Sequence, residues 1–121
     1  MNIIEKKIID DYLQIIVNQE AIGISVIPEL SKNLNSILDD EKSPVKLIFD
    51  LCSVKSIDSA GIGLIVTLLT KCKKQSKMAA IFISSSKLMK DIKISRIDLL
   101  FPIYTNLEDA IAFITKSANF S

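Results

Sequence analysis

The segment Ile57-Asp58-Ser59-Ala60-Gly61-Ile62-Gly63 sits between two apolar runs, Leu47-Ile48-Phe49-Asp50-Leu51 before it and Leu64 to Leu69 after it. Strand, short polar loop and helix read off in that order, with Ser59 at the join. A helix that begins there presents amide N–H groups without intrahelical acceptors, and its dipole adds partial positive charge at the same place, so the join suits an anion. Asp58 and Ser59 are both good capping residues. Gly61 and Gly63 each cost the helix about 1 kcal/mol of propensity. That cost predicts a first turn whose backbone must stay bare, open to a partner and close to the sheet. The simpler reading of the same residues is a capped helix whose glycines allow close packing.

The rest of the chain supplies elements for an α/β fold. Ile3–Ile9 and Tyr12–Asn18 are rich in Ile and Val and flank Asp10-Asp11, which predicts a hairpin, with Leu13, Ile15 and Val17 on its core face. Gln19–Val26 has no clear period, and Gly23 suggests a bend. A helix is expected from about Ile27 to Leu38, with Ile27, Leu30, Leu34, Ile37 and Leu38 on one stripe and Pro28 in its first turn. Val45–Leu51 reads as a strand buried in a parallel sheet. The central helix runs from Ser59 to about Gln75, and lysines 71, 73, 74 and 77 gather at its solvated end. A strand at Ala79–Ile83 follows, then a helix capped from the Ser84–Ser86 triplet and running through Leu88, Met89, Ile92 and Ile94. Leu99–Tyr104 is expected as an edge strand because of Pro102, and Asn106 as the cap of a last helix carrying Leu107, Ala110, Ile111 and Ile114, with the tail after Lys116 frayed. Two strands followed by helix–strand repeats imply a mixed, mostly parallel sheet built by crossovers.

Function classes narrow on composition. A length of 121 residues fits one domain, residues 1–121, and 49% apolar content describes a chain that packs a core. Fifteen basic against fourteen acidic residues leave +1, which gives no support for a nucleic-acid or membrane-surface partner. The longest apolar stretch, Ile62–Leu69, is far short of a membrane span, and the N-terminus lacks the pattern of a secretory signal, so a cytoplasmic protein is expected. Cys52 and Cys72 are too far apart for a Cys-x-x-Cys motif, and no histidine completes a metal site. Two reduced cysteines and no metal or cofactor are therefore expected. Ser59 as an enzyme nucleophile lacks both Gly-x-Ser-x-Gly and a histidine base.

Asp58-Ser59-Ala60-Gly61-Ile62-Gly63 after a buried strand, with Pro28-Glu29-Leu30 opening an upstream helix, resembles the bacterial anti-sigma-factor antagonists of the STAS family. The resemblance runs from about Ile3 to Ile114. It implies the STAS fold, with a mixed sheet, an N-terminal hairpin and about four helices largely on one face. It also implies that Ser59 is a phosphorylation site, that Asp58 helps to position its hydroxyl, and that Asp58 through Gly63 form a partner-binding surface. The implied partners are an anti-sigma factor with serine kinase activity, bound when Ser59 is unmodified so that a sigma factor is released, and a serine phosphatase that resets the switch. The competing reading is a STAS adaptor subunit of a transport or stress-signalling assembly that does not switch. Two positions depart from the family pattern. Val26 stands where a capping threonine is usual, which loses the cap or shifts it to Ser25, and Gly23 replaces an acidic residue that relatives use near the serine.

Overall fold

The computed structural model describes residues 2–117. Strand β1 (Ile4–Ile9) pairs antiparallel with β2 (Tyr12–Val17), and Asp10 turns the hairpin at φ 52°, a conformation that aspartate tolerates. A two-residue strand, β3 (Ala21–Ile22), leads into helix α1 (Ile27–Asp39). Leu30, Leu34, Ile37 and Leu38 form the buried stripe of α1, Pro28 occupies its first turn, and Val26 offers no side-chain cap, so the capping hydroxyl is lost rather than moved to Ser25. Strand β4 (Lys46–Asp50) is followed by the short β5 (Ser56–Ile57) and by helix α2 (Ser59–Lys74). Then come β6 (Met78–Phe82), α3 (Ser86–Ile94), a 3₁₀ turn at Ile97–Leu99, β7 (Ile103–Tyr104) and α4 (Leu107–Ser117). Ser85 caps α3 by accepting the Leu88 N–H, and Asn106 caps α4 by accepting the Glu108 and Asp109 N–H groups. The frayed tail expected after Lys116 falls, beyond Ser117, outside the described residues.

The main sheet has the order β1-β2-β4-β6-β7, parallel except for the β1–β2 hairpin. Strands β3 and β5 pair in parallel as a separate small sheet, which the sequence did not announce because two residues carry no period. One face of the main sheet packs under α1, α2 and α3, through Leu13, Ile15, Leu47, Phe49 and Ile81 of the strands and Leu34, Leu69, Cys72, Leu88 and Ile92 of the helices. Helix α4 covers the other face with Ala110 and Ile114 against Tyr12, Ile48 and Ala80. Strand β2 is thus buried on both sides: Gln14, on the α4 side, is also buried and donates to Asp50 Oδ2 at 2.8 Å, satisfying both polar groups.

Three expectations change. The strand expected over Leu99–Tyr104 contracts to Ile103–Tyr104. Leu99 lies exposed in the 3₁₀ turn and Phe101 is buried in the main core, so neither extends the sheet edge and only Phe101 fills the core. Ile94 does not join the buried stripe of α3; it is 81% exposed, whereas Ile92, two positions earlier, is fully buried. The lysines at the end of α2 are not simply solvated. Lys71 bonds Asp39 at 2.8 Å and Asn35 at 2.7 Å, and Lys77 donates to the carbonyl of Leu38, tying the end of α2 to that of α1.

Candidate functional site

The site begins where β4 ends. A parallel strand delivers the chain to the carboxyl edge of the sheet, and the connection must turn there before a helix can pack back. After β4 the chain runs through β5, which β3 holds in parallel register with Ile22 opposite Ile57, and Asp58 then starts α2. The Asp58 N–H donates to Ile22 O at 3.2 Å and the Asp58 carbonyl accepts the Ile62 N–H at 2.9 Å. Its carboxylate is divided between two amides: Oδ1 accepts Gly61 N–H at 2.9 Å, and Oδ2 accepts Ile24 N–H at 3.2 Å. Asp58, not Ser59, is therefore the cap, and it also latches the β3–α1 loop to the start of the helix. Both oxygens engage backbone amides, and among the described residues no hydrogen bond joins the carboxylate to the Ser59 hydroxyl.

The two glycines of the motif separate. Gly61 is buried, and a Cβ there would lie 2.5 Å from Ile22 O and 2.6 Å from Ile57 Cγ1. The helix approaches the small sheet too closely for any side chain. Gly63 is exposed, and a Cβ there would meet nothing within 4 Å, so the expected need for a bare backbone holds for Gly61 and has no packing basis at Gly63. Gly23 lies against the cap, since its Cβ would come 3.2 Å from Asp58 Oδ2. An acidic side chain would start from that point beside the Asp58 carboxylate, where like charge is unfavourable.

Ser59 is exposed in the first turn of α2, where its amide and that of Ala60 have no intrahelical acceptor. Ala60 and Ile62 are half-buried. Ser59 lies in an open hollow walled by Ile57, Asp58 and Ile62 on one side and by Asp91, Ile94 and Ser95 of α3 and its end on the other. Ile24, held by the Asp58 latch, is 76% exposed next to this cap. The hollow therefore has one bare isoleucine, Ile94, and two carboxylates, with no cation, among its lining residues, and a second bare isoleucine, Ile24, is tied by its amide to Asp58. A phosphate on Ser59 would meet favourable helix amides and unfavourable carboxylates together.

The sequence reading reached Asp58 through Gly63 and missed Ile24, Asp91, Ile94 and Ser95. One signal was available: Ile94 lies two residues from Ile92, off the three- and four-residue spacing that Leu88 and Ile92 share. Both thiols lie away from nucleophilic use. Burial pushes Cys72 up to about 11, and burial followed by the Asp50 charge pushes Cys52 to about 11 as well. Among the described residues no group of three or more His, Cys, Asp or Glu side chains could hold a metal ion, and no helix is long and apolar enough to cross a membrane.

The family model for the STAS domain matches residues 4–110. Among solved structures, a putative anti-sigma factor antagonist from Thermotoga maritima is 23% identical, with 93% of this chain and 94% of that chain covered at a TM-score of 0.82. A sulfate transporter family protein from Wolinella succinogenes is 17% identical, with 94% and 93% covered at 0.75. The Bacillus cell fate determinant SpoIIAA in its phosphorylated form is 12% identical, with 92% and 98% covered at 0.65. These structural likenesses show a shared fold. With the family model spanning the hairpin, the small sheet, the Asp58 cap and the start of α4, the chain belongs to the STAS domain family.

Proposed function

We propose that this protein is a cytoplasmic anti-sigma factor antagonist whose exposed Ser59 is the switch. The observation that carries the reading is the setting of that hydroxyl. It is accessible at a helix N-terminus, in a hollow lined by the exposed Ile94, with the exposed Ile24 tied by its amide to the adjoining Asp58. Bare aliphatic side chains around a modifiable hydroxyl suit a surface that is covered by another protein in one state and free in the other. Unmodified, the surface binds an anti-sigma factor with serine kinase activity, and a sigma factor is released. Phosphorylation adds about −1.5 to −2 charges among Asp58, Asp91 and the partner surface, and a separate serine phosphatase removes it. Asp58, Ser59, Ala60, Ile62 and Gly63 supply the surface on α2, while Gly61 acts from beneath by setting the height of the helix. The protein itself performs no chemistry in this scheme and needs no cofactor.

A misplaced charge across a binding surface costs several kcal/mol, which corresponds to a hundredfold or greater loss of affinity. Titration calorimetry of wild-type, Ser59→Ala and Ser59→Asp proteins against the anti-sigma kinase, with phosphate mapped after incubation with ATP, tests the proposal. Alanine should bind and resist modification, and aspartate should fold normally and bind at least a hundredfold more weakly. Equal affinities, or phosphate on Ser53, Ser56 or Ser84–Ser86, would refute the assignment. The second reading, a non-switching adaptor of a transport assembly, draws on the likeness to the Wolinella protein. It predicts that Ser59→Asp leaves complex formation unchanged.

A further inference from the structure

Strand β1 forms one edge of the main sheet, and from Glu5 to Ile9 every residue is exposed, Ile8 at 70%. The Asn18 N–H donates to Ile3 O at 2.8 Å, and Ile4 pairs with Val17. Hydrogen-bonded and non-hydrogen-bonded pairs alternate in an antiparallel ladder, so Glu5, Lys7 and Ile9 direct their amides inward to β2. Ile4, Lys6 and Ile8 direct theirs outward. Among the described residues the outward set is a row of unpaired backbone groups with a defined phase.

We infer that this edge pairs with the β1 edge of a second copy, antiparallel about a twofold axis at Lys6. A symmetric antiparallel pairing must place outward residues opposite outward residues, which restricts the register to steps of two. With the axis at Lys6, Ile4 faces Ile8 of the second copy and Glu5 faces its Lys7, and the two chains exchange about six backbone hydrogen bonds. Moving the axis to Glu5 sets carboxylate against carboxylate, and moving it to Lys7 sets ammonium against ammonium. Each of the three registers sets one like pair on its axis, and only the Lys6 axis adds two Glu5–Lys7 pairs, so the charge order of β1 selects it. Glu5 and Lys7 stand opposite Ile16 and Gln14, neither of them charged, and among the described residues neither is in an ion pair. Ile8 finds apolar cover against Ile4, which already packs on the main core. Lys6 meets its own symmetry mate, in a hydrogen-bonded pair whose Cα atoms are about 5.5 Å apart, and its long side chain can turn away into solvent. A six-residue strand makes a small interface, so the pairing is of the weak, reversible class. None of the residues walling the Ser59 hollow belongs to β1, so the dimer would carry two accessible hollows.

Sedimentation equilibrium on the full chain, from roughly 10 µM to 1 mM, reads the association directly. A reversible dimer is expected. Glu5→Lys should weaken it about tenfold by replacing two ion pairs with two repulsions, and Glu5→Lys combined with Lys7→Glu should restore it. Ile8→Pro removes only an outward N–H and should abolish the dimer in a protein whose circular dichroism is unchanged. Lys6→Thr should tighten it. A chain that stays monomeric at 1 mM, a dimer indifferent to a folded Ile8→Pro protein, or a charge swap that fails to restore pairing would overturn the inference. If the proline variant does not fold, the charge swap decides alone.

Discussion

Gly61→Ala and Gly63→Ala make the same chemical change two residues apart in one helix turn, and the structure assigns them opposite signs. Alanine is favoured over glycine inside a helix by about 1 kcal/mol, so propensity alone stabilises both. At Gly63 nothing opposes it, because the new methyl would meet no atom within 4 Å. The expected result is a gain of up to about 1 kcal/mol, or about 4 °C in Tm for a chain of this length. At Gly61 the methyl would stand 2.5 Å from Ile22 O, 2.6 Å from Ile57 Cγ1 and 2.9 Å from Ile22 Cγ2. The first of these is backbone and cannot rotate aside. It must withdraw by at least half an ångström, and it is also the acceptor of the Asp58 N–H, which begins the helix. Overpacking of this kind costs about 1 to 3 kcal/mol, and an immobile backbone atom places the cost toward the upper end. After the propensity gain, a net loss of about 1 to 2 kcal/mol remains, or about 4 to 8 °C. Urea unfolding followed by far-ultraviolet circular dichroism, checked by scanning calorimetry, measures both variants. A Gly61→Ala protein as stable as the wild type would refute the close approach of α2 to β3.

Two further outcomes follow from packing and charge. Ile92→Ala should destabilise by about 2 to 5 kcal/mol because it empties a fully buried position, whereas Ile94→Ala should stay within about 0.5 kcal/mol in urea unfolding yet weaken binding of the proposed anti-sigma partner. The Lys71 ammonium, hydrogen-bonded to Asp39, holds that carboxyl below its ordinary value of 3.8. A carboxylate whose folded pKa is depressed contributes stability that is present above the unfolded pKa and is lost as pH falls through the folded one. Lys71→Met should therefore flatten the acid limb of stability below about pH 4, and an unchanged limb in urea titrations from pH 6 to pH 2 would refute the pairing.

Local chemistry made much of this protein legible in the sequence. The hairpin was written in alternating residues around Asp10-Asp11, the stripe of α1 in three- and four-residue steps, and the join at Ser59 in a motif only a few residues long. Capping belongs to the same class: the Asp58 and Ser85 caps are short-range hydrogen bonds that a reader of side-chain types can anticipate. What sequence could not supply were relations between segments far apart along the chain. Strands β3 and β5 are too short to carry a period and exist because each gives the other a partner. The role of Gly61 depends on a carbonyl thirty-nine positions earlier, and the two glycines look alike until that carbonyl is placed. Leu99 and Phe101 read as strand residues, but the packed chain leaves Leu99 exposed in a 3₁₀ turn and puts Phe101 in the core. The hollow at Ser59 is likewise made by α3, which lends Asp91, Ile94 and Ser95 to a motif it never adjoins in sequence. Periodicity and capping are set by a residue and its near neighbours, so the sequence determined the elements and the Asp58–Gly63 motif. Close approach and shared surfaces are set by how whole elements pack, so only the tertiary structure decided what stands around Ser59.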